Sequence, residues 1–112
     1  MPITNPNYSD LNHEDMAASI GLKAKHIPML IGSFLEESGA ILENLSSAID
    51  SKDYAVIKSL AHSIKGSAGT LRFNEVYEMC KEMEMAASAS DTSFDYSAYL
   101  TAAKSAVATI TL

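Results

Sequence analysis

The sequence predicts an all-α fold, an up-and-down antiparallel four-helix bundle with a short additional N-terminal helix. Apolar residues recur at three- and four-residue steps along the chain, which is the spacing of one face of an α-helix. Short polar breaks separate these segments, and short connections favour antiparallel neighbours. No segment alternates apolar and polar residues with period two over a length that would indicate a strand.

The composition indicates one small folded domain. The chain has 112 residues, of which 47% are hydrophobic and 20% charged, with only 5 Gly and 3 Pro. These values exclude a disordered or collagen-like chain. We expect a flexible N-terminal arm over residues 1–11, where Pro and Asn are frequent, followed by a helical-bundle domain over residues 12–112.

Charge and cysteine content exclude several classes of function. The chain has 8 Lys+Arg against 14 Asp+Glu, a formal charge of -6, which disfavours binding to nucleic acid or to anionic membrane surfaces. Cys80 is the single cysteine, and no Cys/His set has zinc-ligand spacing, so we expect a reducing compartment and neither metal nor cofactor. The polar N-terminus lacks the features of a signal peptide. We expect a cytoplasmic monomer.

Local signals place the first two helices. Asn12 can cap a short helix that Gly21 ends. The buried side of this helix would comprise Met16, Ala17 and Ile20. The second helix is expected to begin near 24–27, and Pro28 is tolerated because first-turn residues have no intrahelical N–H bond to lose. Its apolar stripe comprises Ile27, Leu30, Ile31, Phe34, Leu35, Ile41, Leu42, Leu45, Ala48 and Ile49. Ser38 interrupts this stripe.

The remaining three helices show the same periodicity. Asp53 places a negative charge at the start of the third helix, where free N–H groups favour it. The third helix would bury Ile57, Leu60, Ile64, Ala68 and Leu71. The fourth begins near Asn74 and would bury Val76, Cys80, Met83 and Ala87. The fifth begins near Asp95 and would bury Tyr96, Tyr99, Leu100, Ala103, Val107 and Ile110.

The exposed face of the third helix carries an unusual set of residues. At 100° per residue, His62 lies roughly 160° from Leu60 and from Ile64 and should therefore face water. Its neighbours on that face are Lys58, Ser59, Lys65, Gly66 and Gly69. Two glycines inside a helix weaken it by roughly 2 kcal/mol relative to alanine, which indicates that this space is kept free of side chains.

These residues fit a histidine that accepts a phosphoryl group. Such a site needs an accessible nitrogen nucleophile, a cation for the phosphoryl oxygens and room for the donor. His62 would be the nucleophile, and Lys58 and Lys65 would supply the positive charge. The glycines would leave room for the donor. Plainer interpretations stay open, because an exposed histidine or lysine is most often an ordinary surface residue and a glycine can simply end a helix. The apolar stripe continues to Leu71, which disfavours a helix end at Gly66 or Gly69.

The same stretch resembles a known family. The run His62-Ser63-Ile64-Lys65-Gly66-Ser67-Ala68, between Leu60-Ala61 and Leu71, is similar to the signature of histidine-containing phosphotransfer (HPt) domains, the intermediates of two-component phosphorelays. The resemblance extends over about 90 residues and includes Phe34-Leu35-Glu36-Glu37 and the acidic fourth helix. The chain departs from the family at position 72, where glycine is usual. Arg72 affects the expected turn into the fourth helix and adds a cation near the docking surface.

The resemblance implies a phosphorelay intermediate with no ATP-binding or kinase site. His62 would take a phosphoryl group from an aspartyl phosphate of a response-regulator receiver domain, for instance in a relay with a hybrid sensor histidine kinase, and pass it to another receiver. Lys65 would stabilise the phosphoryl charge, and the receiver would supply Mg²⁺. Docking is expected at Gly66, Gly69, Lys58 and Ser59. Met1 favours a free-standing protein over a fragment of a hybrid kinase.

The sequence also leaves other interpretations open. A non-phosphorylated helical adaptor with the same bundle is the main alternative. An autonomous hydrolase would need a second carboxylate, base or ligand set, and none is definable. His13 and His26 are interpreted as surface residues. Cys80 with Met79, Met83 and Met85 resembles a soft-metal site, but Cys80 and Met83 at helical spacing are interpreted as core filler. The acidic residues Glu36, Glu37, Glu43, Glu78, Glu82 and Glu84 are interpreted as a solvated surface.

Overall fold

The computed structural model describes residues 3–111 and contains five α-helices in that range. They are α1 (His13–Ile20), α2 (Ile27–Ser51), α3 (Tyr54–Thr70), α4 (Asn74–Ser88) and α5 (Tyr96–Ala108). A single 3₁₀ turn, Ala24–His26, leads into α2. No strand occurs within residues 3–111. The predicted all-α class is therefore confirmed.

The four long helices pack in a closed order. α3 lies against both α2 and α4, and α5 contacts both α4 and α2, so that each long helix has two long neighbours. α1 packs against α2 and the 3₁₀ turn. The result is an elongated bundle of 42 × 23 × 21 Å. α3 contacts α4 more extensively than any other pair, and this pair carries the site described below.

The helix ends follow the expected caps. The Asn12 side chain accepts a hydrogen bond from the Asp15 N–H at 3.0 Å, and Gly21 ends α1 in the left-handed conformation with φ 74°. The Asp53 side chain accepts from the Val56 N–H at 3.3 Å and caps α3. These bonds satisfy N–H groups that have no partner within the helix.

Ser38 differs from its expected place. We expected it to interrupt the apolar stripe of α2, but it is buried with only 2% of its surface exposed. Its hydroxyl donates to the Leu35 carbonyl at 3.4 Å, so the helix itself supplies the partner that a buried hydroxyl needs. The buried stripe of α2 therefore continues through a small polar residue.

The core residues come from every helix, and most of those predicted are buried. The largest fully buried side chains are Phe73, Ile27, Ile31, Leu45, Ile57, Ile64, Met79, Met83 and Val76. Leu60, Leu30, Leu35, Ile41 and Ile49 are only partly buried and pack against this core. Burial of this apolar surface is the main force that holds the helices together.

The N-terminal segment is more closely attached than a loose arm would be. Residues 3–11 contain no helix, but the Tyr8 ring packs against Phe73 with ring centroids 4.8 Å apart. The Tyr8 hydroxyl donates to Glu75 Oε1 at 2.5 Å, and its N–H donates to Thr109 Oγ1 at 2.9 Å. Burial, and then the neighbouring Glu75 carboxylate, raise the pKa of Tyr8. Residues 1 and 2 of the expected arm lie outside the described residues.

Arg72 forms the turn between α3 and α4 in a left-handed conformation, with φ 65°. Glycine adopts this conformation without strain, which explains why glycine suits the position. The arginine side chain turns back and donates from Nε to Ser19 Oγ at 3.1 Å and from Nη1 to the Gly69 carbonyl at 3.3 Å. Its guanidinium thus links the end of α3 to the end of α1.

Candidate functional site

His62 lies on the exposed face of α3. Its side chain is 66% exposed, whereas Ala61 and Ile64 on the opposite face are buried. The imidazole therefore faces solvent, as the helical spacing predicts. α3 continues for eight residues beyond His62, so the ring stands in the middle of a helix rather than at an end.

A carboxylate from the neighbouring helix binds both His62 and Lys65. On α4, Glu84 Oε2 lies 3.0 Å from His62 Nδ1, and its second oxygen, Oε1, lies 2.6 Å from Lys65 Nζ. The Glu84 side chain is only 18% exposed. One carboxylate therefore bridges the two side chains that the sequence singled out.

The bridge shifts the pKa values of Glu84 and Lys65. The hydrogen bond from Lys65, followed by the one with His62, lowers the pKa of Glu84 from its ordinary value of 4.5 despite partial desolvation. The same contact with Glu84 raises the pKa of Lys65. Near neutral pH the pair is therefore a carboxylate and an ammonium ion.

This contact assigns the proton on the imidazole. An ionised carboxylate can only accept hydrogen bonds, so Nδ1 of His62 must carry the hydrogen that it shares with Glu84. In a neutral ring the lone pair is then on Nε2. Because the ring is largely exposed, this nitrogen is available to a reaction partner.

The two glycines of the face have different surroundings. A Cβ placed on Gly66 would meet no atom within 4 Å, so the space beside it is open to a partner. A Cβ on Gly69 would lie 3.1 Å from Cδ2 of Tyr77 on α4. Gly69 therefore allows close packing of α3 on α4, whereas Gly66 leaves a gap in the outer surface.

His62 borders a shallow hollow of about 370 Å³ between α3 and α4. The other residues that line it are Lys58, Ser59 and Glu84. Further along α3, the Ser67 hydroxyl donates to Glu37 on α2 at 3.3 Å, so it faces a different groove. The exposed face around His62 thus combines an imidazole, an ammonium group and an open backbone position.

The family of the chain follows from comparison with known families. A scan against protein-family models matches residues 29–109 to the Hpt domain, which is most of the chain. The chain belongs to the Hpt domain family. No curated protein and no solved structure matches it. Hpt domains are phosphocarriers of phosphorelays that interact with response regulators and kinases, so membership implies phosphotransfer.

Glu84 is the residue of this Hpt domain that sequence reasoning missed. We expected it to belong to a solvated acidic surface, together with five other glutamates that include Glu78 and Glu82 of α4. The structure instead makes it the partner of His62 and Lys65. No signal in the sequence identifies it, because its position opposite His62 depends on how α4 packs against α3.

The cysteine and the methionines that could suggest a soft-metal site have ordinary structural positions in this Hpt domain. Cys80 is fully buried, and burial raises the pKa of its thiol to about 12, so it stays protonated and unreactive. Met79 and Met83 are also buried, whereas Met85 is 63% exposed. Within residues 3–111, no three His, Cys, Asp or Glu side chains are grouped to hold a metal ion. No helix in this range is both long and apolar enough to span a membrane.

Proposed function

We propose that His62 accepts a phosphoryl group from the aspartyl phosphate of one receiver domain and passes it to another. The single observation that supports this most is the arrangement of the imidazole, whose Nδ1 is bound to Glu84 while its side chain is 66% exposed. A nucleophile whose one nitrogen is fixed by a carboxylate presents the other nitrogen in a defined direction.

The transfer step uses the Nε2 lone pair. This nitrogen attacks the phosphorus atom, an N–P bond forms, and the bond from phosphorus to the aspartate oxygen breaks. The electron pair of the broken bond stays on the aspartate, which leaves as a carboxylate. The imidazole keeps its Nδ1 hydrogen and acquires positive charge, which the neighbouring Glu84 carboxylate stabilises. The same chemistry in reverse then transfers the phosphoryl group from Nε2 to the aspartate of a second receiver.

Lys65 supplies positive charge beside the reacting nitrogen. Its ammonium group shares a carboxylate with the imidazole, and its charge would stabilise the phosphoryl oxygens during transfer. The receiver domain is expected to bring Mg²⁺ and most of the stabilisation of the transition state. The long side chain of Lys65 can move from Glu84 to the phosphoryl group without a change in the helix.

Gly66, Lys58 and Ser59 provide the docking surface around His62 in this proposal. The open space at Gly66 lets the backbone of a partner approach the ring. Lys58 and Ser59 line the same hollow as His62. Gly69, which we also expected on this surface, contacts Tyr77 and contributes to the packing of α3 on α4.

The proposal is tested by phosphotransfer from a receiver. Isolated receiver domains carrying a radiolabelled aspartyl phosphate are incubated with the wild-type protein and with His62→Gln. We expect acid-labile, alkali-stable label on the wild type and none on the variant, with equal helical content by circular dichroism. His26→Gln, which lies outside the site, should be labelled as the wild type is.

Two results would contradict the proposal. Equal labelling of His62→Gln would reject His62 as the acceptor. Specific binding of a receiver without any transfer would instead favour a helical adaptor that has the bundle but does not carry phosphate.

A further inference from the structure

A second hollow adjoins the one at His62. It measures about 360 Å³ and lies between α3 and α4, and its lining residues are Lys58, Lys65, Lys81, Glu84, Met85 and Ser88. Lys58 and Glu84 line both hollows, so the two form one continuous surface. On α4, residues at positions 81, 84, 85 and 88 share one helix face, since they are three or four residues apart. We call this second hollow the lysine hollow.

The lysine hollow concentrates positive charge on an acidic protein. It contains three of the eight Lys and Arg residues of a chain whose formal charge is -6. Glu84 is its one carboxylate, and that group is already bound by Lys65 and His62. Lys58 and Lys81 form no ion pair with any residue from 3 to 111. Their charge is therefore available to a partner.

An exposed apolar side chain lies among these cations. Met85 is 63% exposed and lines the same hollow as the three lysines. A methionine adapts its shape to irregular surfaces, and it loses contact with water when a partner covers it. An exposed apolar side chain beside charged groups is a combination that protein interfaces use.

We propose that Lys58, Lys81 and Met85 form a docking surface for an acidic protein surface, belonging to the partner that exchanges phosphoryl groups with His62. This inference rests on the proposed function. The hollow shares two lining residues with the hollow at His62, so it borders the surface on which a protein that reaches the imidazole would dock. Lysines that contact a partner outside the reacting centre accelerate association and set its salt dependence.

The test uses Lys81→Glu and Met85→Asp, because neither side chain forms a hydrogen bond or an ion pair with His62 or Glu84. The probe is a receiver domain that transfers label to the wild-type protein. We expect kcat/KM for transfer to fall about tenfold in Lys81→Glu at low salt, with kcat at saturation unchanged. The loss should diminish as ionic strength increases, since added ions screen exposed charges. Met85→Asp should lower kcat/KM as well.

Matched controls show whether the position matters rather than the type of change. Lys104→Glu on α5 and Met29→Asp on α2 change exposed residues of the same kinds outside the hollow, and both should transfer as the wild type does. Phosphoramidate, a small phosphoryl donor that needs no docking, should label Lys81→Glu and the wild type equally. Unchanged circular dichroism confirms that each variant is folded.

Several outcomes would overturn the inference. If Lys81→Glu and Lys104→Glu have the same kcat/KM, the hollow is not a docking surface, although His62 could still carry phosphate. If Lys81→Glu abolishes binding to phosphatidylglycerol vesicles or dissolves a dimer of this chain while transfer is unchanged, the surface serves lipid or self-association. If no receiver labels the wild-type protein, the inference fails together with the proposed function.

Discussion

At the scale of single residues, Glu84 determines the properties of the site. Its carboxylate accepts the Nδ1 hydrogen of His62 and the ammonium of Lys65 at the same time. The lowered pKa of Glu84 means that folding favours its ionised form. The raised pKa of Lys65 means that folding also favours the ammonium form. Both shifts make the stability of the bundle depend on pH.

Replacing Glu84 by glutamine should therefore change the pH profile of stability. The contribution of the carboxylate is complete above pH 4.5, its ordinary pKa, and is lost as the pH falls through the lower pKa of the folded state. The contribution of Lys65 is complete below pH 10.5 and is lost as the pH rises through its raised pKa. Between these limits, urea denaturation should show the wild type to be more stable than Glu84→Gln.

The control for this measurement is Glu43→Gln. Glu43 is exposed and forms no hydrogen bond or ion pair with residues 3–111, so its replacement should leave the profile unchanged. A constant difference between wild type and Glu84→Gln from acid to neutral pH would show that the bridge does not form in solution.

At the scale of helices, α3 combines two glycines with opposite surroundings. Gly66 faces open space, and Gly69 faces the Tyr77 ring. Alanine stabilises a helix relative to glycine by about 1 kcal/mol when nothing opposes the added methyl group. The same substitution should therefore have different effects at positions three residues apart.

Gly66→Ala should raise the free energy of unfolding by about 1 kcal/mol, because its methyl group meets no neighbour. Gly69→Ala should gain less or lose stability, since the Tyr77 ring must move to relieve a 3.1 Å contact. Chemical denaturation of both variants checks this order. An equal gain at both positions would show that Tyr77 does not restrict α3.

The helices themselves could be predicted because their signals are local. The cap at Asn12, the negative charge at Asp53 and the three- and four-residue periodicity are all present in short stretches of sequence. The exposure of His62 follows from its own helix. By contrast, the contacts of His62 with Glu84 and of Gly69 with Tyr77 depend on the register between α3 and α4, which many packed side chains fix together.

At the scale of the whole molecule, Tyr8 connects parts that are distant in sequence. Its ring lies on Phe73 at the turn between α3 and α4, its hydroxyl reaches Glu75, and its N–H reaches Thr109 just after α5. Thr111 also donates to the Ser9 carbonyl at 2.9 Å. The N-terminal segment therefore ties the α3–α4 turn to the C-terminal end.

Tyr8→Ala should lower the free energy of unfolding by about 2 kcal/mol, because it removes both the buried ring area and the aromatic contact with Phe73. Tyr8→Phe keeps the ring and loses only the hydroxyl contact with Glu75, so its effect should be smaller. Thermal and urea denaturation measure both. Equal stability of Tyr8→Ala and the wild type would show that the N-terminal segment is free in solution.

The position of Glu84 on a different helix from His62 has a consequence for the minimal unit of activity. A synthetic peptide of α3 would contain the histidine, the lysine and both glycines in their native order, yet its imidazole would rotate freely without the carboxylate from α4. Phosphoryl exchange would then be a property of a helix pair, and grafting the short signature onto an unrelated helix should not reproduce it.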